Sequence, residues 1–151
     1  MDEMKKFRLL PNSFKYDKPL PIEYSIEKVT NEVVTDTHLS YMRDLINQFH
    51  SEYTWDGMFD INDVRERLKN KNTLYILLND NVPVGYCFTS DGYLYNFYVS
   101  HKNPRTSDVP ISFCCEILND YISNESITVE CENWNESAQN VVLTNYFEEY
   151  E

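Results

Sequence analysis

Residues 63–68 read DVRERL, and residues 72–86 read NTLYILLNDNVPVGY. Residues 73–78 of the second segment form a nearly continuous apolar run, which is typical of a strand buried on both faces. Residues 79–81 are Asn, Asp and Asn, and these residue types tolerate the left-handed backbone of a tight turn. We therefore expect residues 82–89 to return as the antiparallel partner, so that the two strands form a β-hairpin.

A second turn signal, at residues 90–92, is followed by residues 93–99, which read YLYNFYV. This segment predicts a third strand, so the hairpin extends into a three-strand meander. Its side chains should alternate between the two faces of the sheet. One predicted set is Tyr93, Tyr95 and Phe97, and the other is Leu94, Asn96 and Tyr98.

Helices and strands are also predicted on both sides of this meander. Before it, we expect a strand over Ile22 to Thr30, a helix capped by Asp36 or Thr37 and reaching about Tyr53, and a helix opened by Asp60 or Asn62. After it, we expect a helix from about Asp108 to Ser123, a strand over Ile127 to Cys131, and a last helix opened by Asn135 or Glu136.

Residues 1–21 are interpreted as an extended arm, and residues 22–151 as the folded domain. Pro11, Pro19 and Pro21 keep the arm extended, because proline fixes φ and restricts the residue before it. The arm also carries apolar side chains that can anchor it to its own domain or to a partner. These are Phe7, Leu9, Leu10, Phe14 and Tyr16.

Composition limits the classes of protein and partner. No apolar run is long enough to span a membrane, and the N-terminus lacks an apolar signal segment, so we expect a cytoplasmic protein or a component of an assembled particle. The net charge of −12 is concentrated in residues 106–151, which contain ten acidic residues and neither lysine nor arginine. Nucleic acid is an unfavourable partner for such a surface, whereas a basic protein surface is a favourable one.

The cysteine and histidine positions do not indicate a metal site. Cys87, Cys114, Cys115 and Cys131 have no metal-ligand spacing, and neither do the three histidines. We expect the cysteines to be buried, reduced thiols. His50 and Glu52, near Asp56, are predicted to form a surface cluster or to line an acceptor cleft, and Trp55 and Trp134 are predicted to pack in the interior.

The order of elements, with the residues just quoted, resembles the GNAT superfamily of acetyl-CoA-dependent N-acetyltransferases from about Ile22 to Phe147. Val84-Gly85 matches a dipeptide usual on the family's return strand, and residues 93–99 resemble its central strand. Asn135, Ala138 and Phe147 fall where the family often has Asn, Ala and Phe. The resemblance implies an α/β (α+β) fold, with a mixed, mostly antiparallel sheet flanked by helices and with the C-terminal strands truncated.

The resemblance also implies a cofactor site, which this sequence alters. Active members have a glycine-rich segment after the central strand, where backbone N–H groups and a helix N-terminus bind the pyrophosphate of coenzyme A. Here no glycine follows Gly92, Asp108 places a negative charge at the helix start, and Pro110 removes an N–H donor. If acetyl-CoA binds, the implied contacts are Tyr98, Val99, His101, Lys102, Arg105 and Asn135.

The chemical residues implied by the family are altered as well. The tyrosine that protonates the departing thiolate in many relatives corresponds to Val142, which cannot act as an acid. Tyr146, one turn further on, is the candidate acid, and Glu130 is the candidate base, if the protein is active. Asp91 is a second candidate base.

The chain is also short at its C-terminus, because the family usually adds two strands after the last helix. The strand at residues 127–131 is therefore expected either to be an open edge, which a partner or second subunit would complete, or to be covered by the arm.

Two functions follow from these observations. The first is a non-catalytic, protein-binding GNAT-like module, such as a virion structural protein or a regulator. Its partner would be a protein with a basic surface, or a second copy of the chain at the open sheet edge. The second is an active acetyl-CoA-dependent N-acetyltransferase with a cationic amine acceptor.

Overall fold

The computed structural model describes residues 4–52, 60–100, 108–121 and 125–150. The strands are β1 (Met4–Leu9), β2 (Tyr24–Val29), β3 (Thr73–Asn79), β4 (Val82–Ser90), β5 (Tyr93–Val99), β6 (Ile127–Glu132) and β7 (Glu148–Tyr150). The helices are α1 (Asp36–Glu52), α2 (Ile61–Lys69), α3 (Val109–Tyr121) and α4 (Glu136–Thr144). Among these described residues, no helix is both long enough and apolar enough to cross a membrane.

The strands form one mixed sheet in the order β2-β3-β4-β5-β6-β1-β7. Neighbouring strands β2 and β3, β3 and β4, β6 and β1, and β1 and β7 pair antiparallel. β5 and β6 are parallel, and their paired residues are Tyr93 and Thr128. The predicted mixed, mostly antiparallel sheet with flanking helices is therefore confirmed.

Both predicted turns of the meander adopt left-handed backbone conformations. Asp80 and Asn81 have φ values of 49° and 70°, and Asp91 and Gly92 have φ values of 49° and 84°. Two consecutive left-handed residues match the twist of the strands that a tight hairpin connects. Because Asn, Asp and Gly tolerate this backbone conformation, their presence at these positions made the meander predictable from sequence.

The side-chain alternation predicted along β5 is wrong at its centre. Asn96 has a φ of 52°, so the backbone of β5 is irregular there, and its exposed side chain does not lie buried with those of Leu94 and Tyr98. The Asn96 side-chain oxygen accepts a hydrogen bond of 2.5 Å from Arg67 on α2. Asparagine is among the residues that tolerate the left-handed region, which explains its place at this irregularity.

Polar side chains cap the helices much as the sequence predicted. Asp60 begins α2 in a reciprocal capping box with Asp63, and Asn135 begins α4 by accepting a hydrogen bond from the Ala138 N–H. The predicted cap of α1 is wrong by one residue: the Thr35 hydroxyl, rather than Asp36 or Thr37, accepts a bond of 3.3 Å from the His38 N–H.

The edge of β6 is covered by the arm, which was the second of the two alternatives. β1 pairs with β6 from Met4 opposite Glu132 to Leu9 opposite Ile127. Phe7 and Leu9 are both 1% exposed, so burial of these side chains fixes the strand in place. After α4, where the sequence analysis expected no strand, the three-residue β7 pairs with the other edge of β1.

Two side chains, Glu116 and Tyr146, contact the arm beyond β1. The Glu116 carboxylate on α3 accepts hydrogen bonds of 3.1 Å from the Tyr16 hydroxyl and from the Leu20 N–H. The Tyr146 hydroxyl donates to Asp17, and the Lys18 ammonium lies over the Tyr146 ring. Residues 10–20 therefore have defined contacts with α3 and with the end of α4.

The described residues form two compact units: unit 1 consists of residues 4–20, 91–95, 108–121 and 125–150, and unit 2 consists of residues 21–52, 60–90 and 96–100. Unit 1 contains β1, the first part of β5, α3, β6, α4 and β7, and unit 2 contains β2, α1, α2, β3, β4 and the rest of β5. Each has an apolar core. In unit 1 the core includes Phe7, Leu9, Phe113, Ile117 and Leu118, and in unit 2 it includes Met42, Leu45, Leu68, Ile76 and Phe88.

The sequence analysis also made predictions about the burial of the cysteines, of Ile22 and of the two tryptophans. All four cysteines are buried and free, as predicted, and burial raises the pKa of the Cys131 thiol to about 11. Ile22, predicted to lie within the first strand, precedes it and is fully exposed. Trp134, predicted to pack inside, is 65% exposed in the turn before α4. Trp55 lies outside the described residues.

Candidate functional site

The end of β5, where the GNAT resemblance places the cofactor's pantetheine arm, lies against β4 in unit 2. A Cβ atom built on Gly85 would lie 2.7 Å from the Tyr98 carbonyl oxygen and 3.3 Å from a methyl carbon of Val99. The Ser100 N–H donates a 2.8 Å hydrogen bond to the Val84 carbonyl. Only glycine permits this approach, so the Val84-Gly85 dipeptide brings the two backbones together.

Glu52, at the end of α1, connects this part of β5 to the helix. One carboxylate oxygen accepts a hydrogen bond of 2.8 Å from the Tyr98 hydroxyl, and the other accepts one of 2.9 Å from the Ser100 hydroxyl. The Tyr98 ring contacts the ring of Phe49 edge-on, with 5.4 Å between the ring centroids. Tyr98 and Val99, predicted as cofactor contacts, are thus fixed in position by β4 and α1.

This carboxylate is a functional group that the sequence analysis did not assign to the end of β5. Glu52 was grouped there with His50 and Asp56, whereas its hydroxyl partners are 46 and 48 residues away in sequence. No local pattern reports a contact of that separation. A carboxylate held by two hydroxyl groups can accept a proton or orient a cationic group.

The segment that would contact the cofactor's phosphates follows β5. His101, Lys102 and Arg105, the predicted phosphate-binding side chains, lie outside the described residues. Asp108 is the next residue that the structure describes, and α3 begins at Val109 with Pro110 as its second residue. The Ser112 N–H donates to the Asp108 carbonyl at 2.9 Å, so Asp108 occupies the cap position of this helix.

Asn135 in unit 1, the predicted contact for the pantetheine arm, has a structural role at the start of α4. Its side-chain oxygen accepts a hydrogen bond of 3.1 Å from the Ala138 N–H. Its side-chain nitrogen donates to the Glu132 carboxylate at 3.3 Å. The amide thus satisfies one of the helix's unpaired N–H groups.

The two positions considered for the acid differ in their surroundings. Val142, which takes the place of the family's tyrosine, is 4% exposed on α4. Tyr146 follows the helix with a φ of 74°, and its hydroxyl donates to the Asp17 carboxylate of the arm. This hydrogen bond is the main cause of the raised pKa of Tyr146, since ionisation would place two negative charges together.

The two candidate bases lie at separate places in unit 1. Glu130 is exposed on β6, and its cross-strand neighbour on β1 is Lys6. Asp91 lies in the turn before β5, where it lines an open cavity of about 390 Å³ together with Tyr121 and Glu125. Glu130, Asn135 and Tyr146 have different partners: Lys6 is opposite Glu130, Asn135 contacts Ala138 and Glu132, and Tyr146 contacts Asp17.

Metal ligands were not predicted, and the described ranges contain no group of three or more His, Cys, Asp or Glu side chains placed to hold a metal ion.

Comparison with known proteins gives a structural match without a sequence match. No family model matches the chain, and no curated protein matches its sequence. A Drosophila protein superposes with a TM-score of 0.71 at 12% identity, over 99% of this chain and 49% of its own. A protein described as a GNAT-family acetyltransferase from Novosphingobium aromaticivorans superposes with a TM-score of 0.63 at 8% identity, over 98% and 60%.

A third structure is closer to this chain in length. It is an aminoglycoside acetyltransferase from an uncultured soil metagenomic sample, with a TM-score of 0.61 at 16% identity, covering 82% of this chain and 87% of its own. In contrast, the chain spans only 49–60% of four other similar structures. Identities this low establish the fold alone. The chain therefore has the fold of the GNAT N-acetyltransferases.

Proposed function

We propose that this chain is a non-catalytic GNAT-fold module that acts by binding another protein. The observation that carries the proposal is the engagement of Asn135. The side chain that would contact the cofactor instead caps α4 through Ala138 and contacts Glu132. Binding of a pantetheine arm to this amide would compete with the cap, which contributes about 1 kcal/mol to a helix.

The positions that would supply the acid support the same proposal. Val142 has no titratable group, and the Tyr146 hydroxyl already donates to Asp17. The pKa of Tyr146 is raised from the ordinary tyrosine value, mainly by that hydrogen bond. A tyrosine that is both engaged and a weaker acid is poorly suited to protonating a leaving thiolate.

The start of α3 fits a pyrophosphate poorly. Pro110 supplies no N–H, although the first turn of a helix is where free donors bind phosphate. Asp108 adds a carboxylate at the same end of the helix. The sequence has no glycine after Gly92, so this segment lacks the residue that would let its backbone approach a phosphate closely. The described residues therefore do not fit coenzyme A in the manner of the family.

The distribution of charge supports a protein partner of opposite charge. Residues 106–151 contain ten acidic residues and no lysine or arginine. Such a surface repels nucleic acid and attracts basic proteins. The assembly component or regulator expected from the sequence is consistent with this chemistry, and so is a role inside a particle.

Calorimetric titration with acetyl-CoA and with coenzyme A, at moderate salt, tests the proposal. An active acetyltransferase titrated under identical conditions is the control for detection. We expect no binding heat from this chain at millimolar ligand. Micromolar binding would contradict the proposal, and it would be assigned by comparing Lys102→Ala/Arg105→Ala with the matched pair Lys69→Ala/Lys71→Ala.

The second candidate is an acetyl-CoA-dependent N-acetyltransferase, favoured by the Glu52 carboxylate at the end of β5. Glu52 or Glu130 would accept the proton of a cationic amine, as the acetyl group passes from the thioester sulfur to the amine nitrogen and the thiol is released. One structural neighbour is an aminoglycoside acetyltransferase, and aminoglycosides are cationic amines. Release of free thiol with a polyamine acceptor, abolished by Glu52→Gln, would establish this function in place of the first.

A further inference from the structure

The exposed aromatic side chain of Trp134 suggests where a partner binds. Trp134 is 65% exposed, although its turn is held by hydrogen bonds from the Gln139 amide to the Glu132 and Asn133 carbonyls. A large aromatic side chain displayed on a fixed turn is unusual, and tryptophan is enriched among the residues that dominate binding energy.

A second exposed apolar side chain lies at the same end of the β1–β6 pair. Met4 is 45% exposed, and its cross-strand partner is Glu132, two residues before Trp134. Glu136, the first residue of α4, is also exposed. We name Met4, Glu132, Trp134 and Glu136 the tryptophan corner.

The charges of the tryptophan corner indicate the chemistry of its partner. Glu132 and Glu136 flank Trp134 in sequence, within a segment that has no lysine or arginine. The nearest cation along β1 on the same face, Lys6, is opposite Glu130 rather than Glu132. Two carboxylates within two residues of an exposed indole match the arginine side chain, which stacks on indole and forms bidentate hydrogen bonds with carboxylates. One oxygen of Glu132 accepts a hydrogen bond of 3.3 Å from the Asn135 side chain, and its second oxygen is the one offered to a guanidinium.

We infer that the tryptophan corner is the docking site for an arginine-rich segment of a partner protein. This inference rests on the proposed function and specifies its partner. Arginine is favoured over lysine, because the ammonium group of lysine is strongly hydrated and lacks the planar fork. A second copy of this chain is a poor occupant, since its C-terminal third has the same negative charge.

Titration of the full chain with three peptides of equal length, rich in arginine, lysine or glutamate, tests the inference. Calorimetry measures affinity, and NMR follows the Trp134 indole N–H signal, which is assigned with Trp134→Phe. We expect the arginine peptide to bind at least several-fold more tightly than the lysine peptide, to shift the Trp134 signal, and to bind more weakly as salt increases. The glutamate peptide should not bind.

Trp134→Ala should weaken arginine-peptide binding at least tenfold. Leu143→Ala is the matched control, because Leu143 is 50% exposed on α4 outside the corner, and this variant should retain binding. No binding, equal binding of the arginine and lysine peptides, an unchanged Trp134 signal, or unchanged affinity in Trp134→Ala would each overturn the inference. Acetyl-CoA is titrated into the same sample as well. Binding of acetyl-CoA would contradict the proposed function, whereas absence of both acetyl-CoA and arginine-peptide binding would contradict only the assignment of the tryptophan corner.

Discussion

The two units of this chain differ in how they use the GNAT sequence pattern. In unit 2, Val84-Gly85 has the role that the pattern implies, since Gly85 lets β4 approach the Tyr98 carbonyl. In unit 1, Asn135 caps a helix, Val142 is buried, and Tyr146 is bonded to the arm. In unit 2, the glycine therefore has the scaffold role that the pattern implies. In unit 1, the residues at the positions that the pattern assigns to chemistry instead contact other parts of the fold.

This difference illustrates that a shared fold does not establish a shared activity. The close approach of β4 to β5 needs glycine at position 85, and the sheet requires this glycine whether or not the protein catalyses a reaction. An acid or a cofactor contact is useful only when its hydrogen-bonding groups are available. Asn135 is the residue type that the resemblance implies, and the structure shows that its amide caps α4.

The largest expected effect tests whether the arm belongs to the core of unit 1. Phe7→Ala should lower the free energy of unfolding by about 3–4 kcal/mol, because a side chain that is 1% exposed leaves a cavity. Urea denaturation measures the change. Lys6→Ala, at the exposed neighbouring position, is the control and should stay within about 0.5 kcal/mol of the parent. Equal small effects would mean that β1 does not complete the sheet.

The next prediction tests the scaffold role of Gly85. Gly85→Ala should cost about 2–3 kcal/mol, because its Cβ would meet the Tyr98 carbonyl oxygen of a neighbouring strand at 2.7 Å. Gly92→Ala is the comparison, with a contact of 3.2 Å to the Ser126 carbonyl and a φ of 84°, and should cost about 1–2 kcal/mol. If Gly85→Ala were the milder of the two in chemical denaturation, the close approach of β4 and β5 would be disproved.

A smaller effect tests the structural role of Asn135. Asn135→Ala should lower stability by about 1 kcal/mol, because α4 loses the side chain that accepts from Ala138. Asn140→Ala, at an exposed position within the same helix, should be nearly neutral. Thermal unfolding measures both variants. If Asn135→Ala did not change the stability, the cap would be dispensable and the Asn135 amide could contact a cofactor instead. The contrast between the two units would then be weaker.

The smallest effect concerns the arm. Tyr146→Phe removes the donor to Asp17, and the Leu20 amide should then exchange its hydrogen roughly two- to fivefold faster, since local opening is easier. Tyr93→Phe, at an exposed position on β5, should leave that rate unchanged. An unaltered rate in Tyr146→Phe would show that Glu116 alone holds the arm.

The same contact has a defined pH dependence. Bonds from Lys18 and then Tyr146 hold the pKa of Asp17 below its usual value. The stabilisation is therefore present above the unfolded-state pKa of about 4, and it is lost as pH falls through the lower folded-state pKa. Exchange at Leu20 relative to a core amide should rise only in that acidic range.

The sequence predicted most helices and strands of both units, and it missed features that depend on contacts between distant elements. Turns such as Asp80-Asn81 and caps such as Asp60 are local, so the residue types report them. The place of β1 beside β6 depends on contacts between residues 118 to 128 positions apart, and the sequence left it as one of two alternatives. The Asn96 irregularity and the Glu52 contacts depend on neighbouring elements in the same way.

Among predicted site residues, Tyr98 and Val99 were placed at the end of β5 from the strand pattern alone. The engagement of Asn135 and Tyr146 was not predictable, since their partners depend on how helix and arm pack. Trp134 was expected inside because its residue type favours burial, and its exposure comes from the turn that it occupies.

The most direct test of the central claim is an NMR titration of the full chain with acetyl-CoA to about 1 mM, a concentration that would reveal even weak binding. Backbone amide signals of Tyr98, Val99 and Val109 report on the end of β5 and the start of α3. The account predicts that these signals do not move. Saturating shifts at these three amides would show that the cofactor site is functional and would contradict it.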